Sequence, residues 1–185
     1  CAYFQVNQRR GRRQNTHQAF IEPVRHRANL DVMTNAEVQG ICLTVEDGRP
    51  QASGVMVRFA DAAPLRCSAR REVILSAGSI GSPQLLQLSG IGPGDLLQAH
   101  GIAVLKDLPG VGENLQDHLQ IRCAYKVSNA KTLNTMTRSL WGKAKIGMEY
   151  ALKRSGPMAM APSQLAAFVH SSEAVASPDL EYHVQ

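Results

Sequence analysis

The residue types best suited to hold a ligand lie in residues 78–92, which read Gly-Ser-Ile-Gly-Ser-Pro-Gln-Leu-Leu-Gln-Leu-Ser-Gly-Ile-Gly. The apolar run before them predicts a strand over residues 73–76. Ser82 is predicted to cap a helix that Pro83 opens, because proline has no N–H to satisfy in the first turn. A strand, a turn of small residues and a helix let a backbone approach a large flat or phosphorylated ligand closely. Many α/β proteins contain such a turn, so the pattern alone permits a ligand without identifying it.

A second polar group follows at Asn114, Asp117 and His118, in a glycine-rich stretch. A histidine beside a carboxylate is suited to acid–base chemistry. The alternative is that Asn114 and Asp117 brace the chain through hydrogen bonds to the backbone.

The segments that must position these residues alternate between strand and helix patterns. Strands are predicted at 3–7, 30–34, 37–44, 52–59, 65–68, 73–76, 120–127, 165–170 and 180–184, and helices at 16–27, 83–88, 93–100 and 134–153. Period-2 alternation along 180–184 places Glu181 and His183 on one face of the last strand. For His183 we favour a hydrogen-bonded sheet residue over a catalytic one.

Composition excludes several classes of protein. The 185 residues are 44% hydrophobic and 19% charged, which indicates a globular chain. No apolar run approaches the length of a membrane span, and nothing resembles a signal peptide. The four cysteines form no Cys-x-x-Cys pair, which argues against a metal site and favours a reducing, cytoplasmic setting. The net charge of +5 is concentrated in arginines near the start, without the aromatic residues expected of a nucleic-acid surface.

Residues 78–92 resemble, position by position, the second signature of the glucose–methanol–choline (GMC) family of flavin oxidoreductases. Residues 108–118 resemble the loop that follows this signature. The approach to the same sheet is resembled by Phe4-Gln5-Val6, Gly11-Arg12-Arg13 and Asn29-Leu30. The order of the pieces is most similar to the choline-dehydrogenase-like branch. The resemblance implies a mixed α/β (α+β) fold. Part of an FAD-binding, Rossmann-like domain (residues 1–119) would precede the start of a sheet-plus-helix substrate domain (residues 120–185).

The resemblance also implies the site. FAD would be the cofactor, Val38 would offer its backbone to the adenine, and Ala77 and Gly78 would lie near the adenosine. The remaining cofactor-site residues would be Ser82, Asn114, Asp117 and His118. Gln164 would contact the substrate, where choline-oxidising members often carry a glutamate. The catalytic histidine base of the family would lie downstream, so no catalytic residue and no metal ligand is expected in this chain.

The family's Gly-x-Gly-x-x-Gly motif, which holds the flavin pyrophosphate, has no counterpart here. We therefore expect an internal piece of a longer enzyme that transfers hydride from an alcohol carbon to flavin, and a piece inactive by itself. The expected partners are a small-molecule alcohol and an unidentified electron acceptor, without nucleic acid or a transmembrane segment. Peripheral attachment of the whole enzyme to a membrane is left open. The alternative is a stand-alone, non-catalytic binding or structural module with the same fold.

Overall fold

The computed structural model describes residues 1–184, and its contacts divide the chain into two compact units. The continuous unit comprises residues 32–122, and the discontinuous unit comprises residues 1–31 with the chain from residue 123 onward. The strands are β1 (Ala2–Tyr3), β2 (Gln8–Arg9), β3 (Arg12–Arg13), β4 (Ala36–Glu46), β5 (Arg49–Phe59), β6 (Leu65–Ser68), β7 (Ile91–Gly92), β8 (Lys106–Asp107), β9 (Leu165–Val169) and β10 (Leu180–Val184). The α-helices are α1 (Gly78–Leu88), α2 (Gly94–Ala99), α3 (Leu133–Met136) and α4 (Leu140–Lys153).

The continuous unit is built on an antiparallel sheet in the order β4-β5-β6. Asp47 and Gly48 form the tight turn between β4 and β5, and both have left-handed φ angles, of +50° and +72°. This is the backbone that a two-residue hairpin requires, and Asp-Gly suits it. The strands predicted at 37–44, 52–59 and 65–68 are confirmed, with β4 and β5 longer than predicted. A register shift between Val38 and Gly40 marks a bulge in β4.

Helix α1 begins earlier than the sequence pattern indicated. The predicted start at Pro83 is wrong: the helix begins at Gly78, and Ala77 is its N-cap residue. Ser82 does not cap it, because its hydroxyl lies in the second turn and accepts a hydrogen bond from the Ala77 N–H at 3.0 Å. Pro83 is tolerated inside the helix, where it removes one N–H and crowds the carbonyl four residues earlier.

A parallel pair of short strands, β7 and β8, follows α1 and flanks α2. Leu97 of α2 is 1% exposed and is the most deeply buried large side chain among residues 1–184. Gly101 follows the helix with φ +71°, the left-handed conformation that commonly ends a helix. The predicted helix over 93–100 is therefore confirmed.

Three predicted strands, at 30–34, 73–76 and 120–127, are not strands in the structure. A strand exists only where a neighbouring backbone completes its ladder of hydrogen bonds, and no described strand lies beside these runs. Ile74 is 76% exposed and Ile121 is 87% exposed, so these apolar side chains are not covered by other parts of the described chain.

The discontinuous unit contains the antiparallel sheet β1-β9-β10 and the small hairpin β2-β3. The predicted helix over 134–153 is broken, because Ser139 is extended and its hydroxyl accepts from Gly142 N, which starts α4 anew. The predicted helix over 16–27 is a π-helical turn (His17–Ile21) followed by a 3₁₀ turn (Glu22–Val24) that contains Pro23. Proline lacks the N–H that a continuous helix needs.

Asp179 closes the loop between β9 and β10. Its carboxylate accepts hydrogen bonds from the Ser171 hydroxyl and the Ser171 N–H, each at 2.7 Å. These bonds hold the pKa of Asp179 below its usual value, and the bond from the hydroxyl has the larger effect. The strands predicted at 165–170 and 180–184 are confirmed and are joined by this loop.

Each unit has a small apolar core. Val57 and Leu97 are buried in the continuous unit, and Ile146 and Ala166 in the discontinuous unit. Many large apolar side chains stay exposed, Ile74, Ile80 and Trp141 among them. Neither unit thus buries the apolar surface expected of an independent domain of its size. None of the helices described over residues 1–184 is long and apolar enough to cross a membrane.

Candidate functional site

A pocket of about 590 Å³ lies in the continuous unit, between α1 and the loop that follows β8. Its lining combines polar and apolar residues on both walls. The residues are Ser79, Ile80, Pro83, Gln84 and Gln87 from the helix, and Gly112, Glu113, Asn114, Leu115 and Gln116 from the loop. These segments are the two sequence motifs, so folding brings together the stretches that carried the predicted site.

The first turn of α1 gives this pocket hydrogen-bonding groups that the helix does not use. The N–H groups at a helix start have no partner within the helix, and Ala77 makes no side-chain cap. Pro83 cannot donate to the carbonyl of Ser79, four residues earlier, so that carbonyl also loses its helical partner. Ser79 and Pro83 both line the pocket. The start of α1 therefore lies beside the pocket, with the positive end of the helix dipole next to its lining.

Gln87 joins the two walls of the pocket. Its Nε2 donates a hydrogen bond to the carbonyl of Val111 at 3.0 Å. A Cβ on Gly92 would lie 3.0 Å from Gln87 Cγ, and a Cβ on Gly112 would lie 2.9 Å from Gln87 Nε2. The two glycines thus leave room for the glutamine side chain. Glycine is also favoured at residue 112 because its φ is +89°.

Ser89 joins the end of α1 to the sheet. Its hydroxyl donates to the carbonyl of Leu85 at 2.6 Å and accepts from the backbone N–H of Ile41 at 2.8 Å. Ile41 follows the β4 bulge, so this contact anchors the bulged part of the strand. The pattern of residues 78–92 did not single out Ser89. A serine four residues after a helical carbonyl was the available signal, since serine commonly bonds back to that carbonyl.

Replacing Ser89 by alanine is expected to destabilise the protein by about 1–3 kcal/mol, because the part-buried Ile41 N–H loses its acceptor. Chemical denaturation of the full-length protein measures the change. Ser172→Ala, in the exposed loop after β9, is the matched control and should change stability by less than about 0.5 kcal/mol. Equal stability of the Ser89 and Ser172 variants would contradict the anchoring role.

Of the seven predicted cofactor residues, Asn114 alone lies in the pocket lining. Asn114 lines the pocket with a left-handed φ of +57°. Ala77 and Gly78 form the turn at the helix start, directly before Ser79, and Gly78 has φ +84° with open space around its missing Cβ. Val38 lies on β4, which is an edge strand of its sheet, and is 37% exposed.

The other three predicted cofactor residues also lie outside the pocket lining. Ser82 faces the turn, as its bond to Ala77 shows. Asp117 and His118 are exposed, and Asp117 accepts from the His118 N–H at 2.7 Å. This bond is of the kind expected if Asp117 braces the chain through its backbone. The imidazole Nδ1 of His118 lies 3.7 Å from the same carboxylate.

Gln164 lies in the discontinuous unit, at the start of β9. Its backbone continues the ladder on both sides: its carbonyl accepts from Phe4 N at 3.0 Å and its N–H donates to Val184 O at 3.3 Å. The side chain is exposed. Alternation along β9 places it on the same face as Ala166, whose cross-strand partner is His183.

Glu181 and His183 are in contact on that face of the β9-β10 sheet. Glu181 Oε1 lies 2.9 Å from His183 Nε2, and the His183 ring lies 4.8 Å from the ring of Phe4. Glu181 pairs across the sheet with Phe168, so both side chains share the face of Gln164. The predicted pairing of Glu181 with His183 on one face is thus observed.

The charges near the pocket restrict what it can hold unaided. Its lining contains one acidic residue, Glu113, and no lysine or arginine. Residues 1–184 also contain no cluster of three His, Cys, Asp or Glu side chains arranged to hold a metal ion. The pocket lining therefore offers no cationic side chain to a phosphate group.

Comparison with known proteins agrees with the sequence motifs. The family model described as GMC oxidoreductase matches residues 1–120. Oxygen-dependent choline dehydrogenase of Citrobacter koseri is 38% identical over 94% of this chain and 30% of its own length. The protein of that name from Brucella anthropi is 39% identical over the same shares of the two chains.

Solved structures give the same result at lower identity. An FAD-dependent oxidoreductase from Chaetomium thermophilum superposes with a TM-score of 0.77 and 28% identity, over 89% of this chain and 28% of that one. A fungal aryl-alcohol oxidase gives a TM-score of 0.69 and 30% identity, over 86% and 27%. The predicted mixed α/β fold and the predicted family are both confirmed. The chain belongs to the GMC oxidoreductase family.

Proposed function

We propose that this chain forms part of an FAD-dependent enzyme that oxidises an alcohol, and that it supplies one wall of the cofactor site. The chain spans about 30% of the length of the curated relatives it matches. The observation that carries the proposal is the pocket, because its two walls are the two family motifs.

The residues present suit the adenosine side of FAD. An edge strand leaves backbone N–H and C=O groups unpaired, and β4 offers such groups around Val38 to the edge of an adenine ring. Ala77 and Gly78 keep the neighbouring turn free of bulky side chains. The pocket lining has no cation for the pyrophosphate. We therefore assign the diphosphate to a segment other than these residues.

When bound, FAD supplies the redox chemistry, since its ring accepts a hydride from the alcohol carbon. In the proposed enzyme Asn114 and the first turn of α1 bind and orient the cofactor. Ser82, Asp117 and His118 remain proposed cofactor-site residues on the family resemblance, acting through the backbone of the turn and loop. The proton acceptor for the alcohol is assigned to the family histidine outside this chain. The proposed assignment of residues 1–119 to the cofactor domain and 120–185 to the substrate domain rests on the same resemblance.

The test uses the full-length protein that carries this chain. Purified protein should contain one flavin per chain, and a panel of primary alcohols should bleach the flavin absorbance under anaerobic conditions. Oxygen consumption with the same alcohols then identifies whether oxygen is an acceptor. Bound flavin that no alcohol reduces would favour the non-catalytic binding module instead. Absence of flavin would contradict the proposal.

The free cysteines are consistent with the cytoplasmic location that we propose.

We further propose that the substrate is a neutral alcohol. Gln164 occupies the position where choline-oxidising members of the family often have a glutamate, and an amide carries no charge for a quaternary ammonium group. A carboxylate about 4 Å from such a cation gains Coulomb energy of about 1–4 kcal/mol between bulk water and a protein surface, which a neutral amide does not supply. Gln164→Glu is therefore expected to raise kcat/KM for choline by roughly 10- to 100-fold relative to an uncharged primary alcohol.

The wild-type enzyme provides the first comparison, and it should prefer the uncharged alcohol. If it prefers choline, this interpretation of Gln164 is wrong. Glu181 is then the next residue to replace, because its carboxylate lies on the same sheet face. Glu181→Gln keeps the shape of the side chain and removes only the charge.

A further inference from the structure

We propose that Gln87 is a positioning residue that sets the gap between α1 and the loop of residues 110–116, and thereby the position of Asn114. Gln87 lies on the helix one turn after Pro83, and both line the pocket. The inference deepens the proposed function and relies on it for the identity of the ligand as FAD.

The contact reaches across the pocket from one wall to the other. Gln87 is partly buried, and its Nε2–H donates to Val111 O at 3.0 Å. Asn114 follows Val111 by three residues and has the left-handed φ that turns the loop. In the part of the chain that the structure describes, no other side-chain hydrogen bond joins this loop to α1. The Gln87 amide is therefore the polar link that holds the loop against the helix.

The two glycines beside Gln87 make this link specific. A Cβ at residue 92 would lie 3.0 Å from Gln87 Cγ, and a Cβ at residue 112 would lie 2.9 Å from Gln87 Nε2. Such contacts are too short for packed atoms, so a side chain at either residue would displace Gln87. Gln87 therefore fills a slot that the backbone leaves open, and its amide has little freedom to turn away from Val111. A side chain of the same shape that cannot donate will fill the slot without holding the loop.

The first experiment needs no cofactor. Gln87→Met and Gln87→Glu keep the approximate volume and remove the donor near neutral pH. In the full-length protein without FAD, we expect amide exchange in residues 110–116 to become about three- to tenfold faster, the factor that one lost hydrogen bond implies. Exchange in α2 should be unchanged. Gln98→Met and Gln98→Glu, on the exposed side of α2, are the matched controls.

The second experiment measures FAD affinity by flavin fluorescence. Both Gln87 variants should bind FAD about three- to tenfold more weakly at about pH 8. A protonated glutamic acid can donate to Val111 O again, and a carbonyl facing it raises its pKa above the usual 4.3 or so. Affinity of Gln87→Glu should therefore recover at about pH 5, while that of Gln87→Met should not.

The wild-type protein corrects for the other groups that titrate. Those on the packed segments are Glu113 in the loop, Glu37 and Glu46 of β4, Lys106 and Asp107 of β8, and Asp95 and His100 in and beside α2. They are the same in every variant, so their effect cancels in the ratio to wild type.

The outcomes separate the two proposals. Faster loop exchange with pH-dependent recovery supports the positioning role. Unchanged exchange in residues 110–116 for both Gln87 variants overturns it, even if FAD binds. Faster exchange in both units would show general unfolding and overturns it as well. Failure of the wild-type protein to bind FAD contradicts the proposed function, while the exchange experiment still tests the link between helix and loop.

Discussion

The 185-residue chain, purified with excess FAD and then desalted, is expected to retain no flavin and to oxidise no alcohol. The pocket lining offers Glu113 and no cation, so the pyrophosphate would have no charged partner there. Each charge-assisted hydrogen bond to such a group is worth about 1.5–3 kcal/mol. Loss of two of them weakens binding by roughly a hundredfold or more. The flavin absorbance spectrum of the desalted chain is the measurement.

The full-length protein, treated identically, is the positive control for this experiment. Circular dichroism of the desalted chain shows whether it is folded. Stoichiometric flavin in the folded 185-residue chain would contradict the prediction and would place the diphosphate contacts within these residues.

Gly78→Val in the full-length enzyme is expected to remove most of the bound flavin. Gly78 has φ +84°, where a β-branched residue is a strong outlier. Holding valine there costs about 1–3 kcal/mol, and the backbone relieves this strain by moving the turn that the proposed function assigns to the adenosine. FAD affinity should fall by roughly 5- to 100-fold. Flavin content per chain after purification, followed by titration of the apoprotein, measures it.

Gly147→Ala is the matched control for this variant. Gly147 lies inside α4, and a Cβ there would meet nothing within 4 Å. Alanine should stabilise the protein by about 0.5–1 kcal/mol and leave flavin content unchanged. The space around Gly78 is also open, so strain and not a steric clash distinguishes the two sites. Full flavin content with normal stability in Gly78→Val would show that the turn does not contact the cofactor.

Local patterns predicted the parts of the fold that depend on near neighbours. The β4-β5 hairpin follows from alternating residues around Asp47-Gly48, and both strands form as expected. The runs at 73–76 and 120–127 have the composition of strands, but a ladder depends on a partner elsewhere in the chain. The start of α1 was misplaced because Pro83 usually marks a first turn, whereas here it lies inside the helix.

The candidate site was likewise predicted only where it depends on local sequence. The family resemblance brought out the two motifs, and the pocket between them confirms that the chain places them side by side. The roles of Gln87 and Ser89 depend on contacts with Val111 and Ile41, which lie 24 and 48 residues away. No local pattern specifies which distant backbone group a glutamine or serine will meet.

The unpaired run at 73–76 also affects how the chain behaves before it is fully folded. Three apolar residues in extended form, with their backbone groups unpaired, are a template for aggregation between copies. Arg70, Arg71 and Glu72 directly precede them. Charged gatekeeper residues beside an apolar run oppose association of one copy with another. We therefore expect this charged triplet to oppose association of copies through residues 73–75, which precede the turn at Ala77 and Gly78.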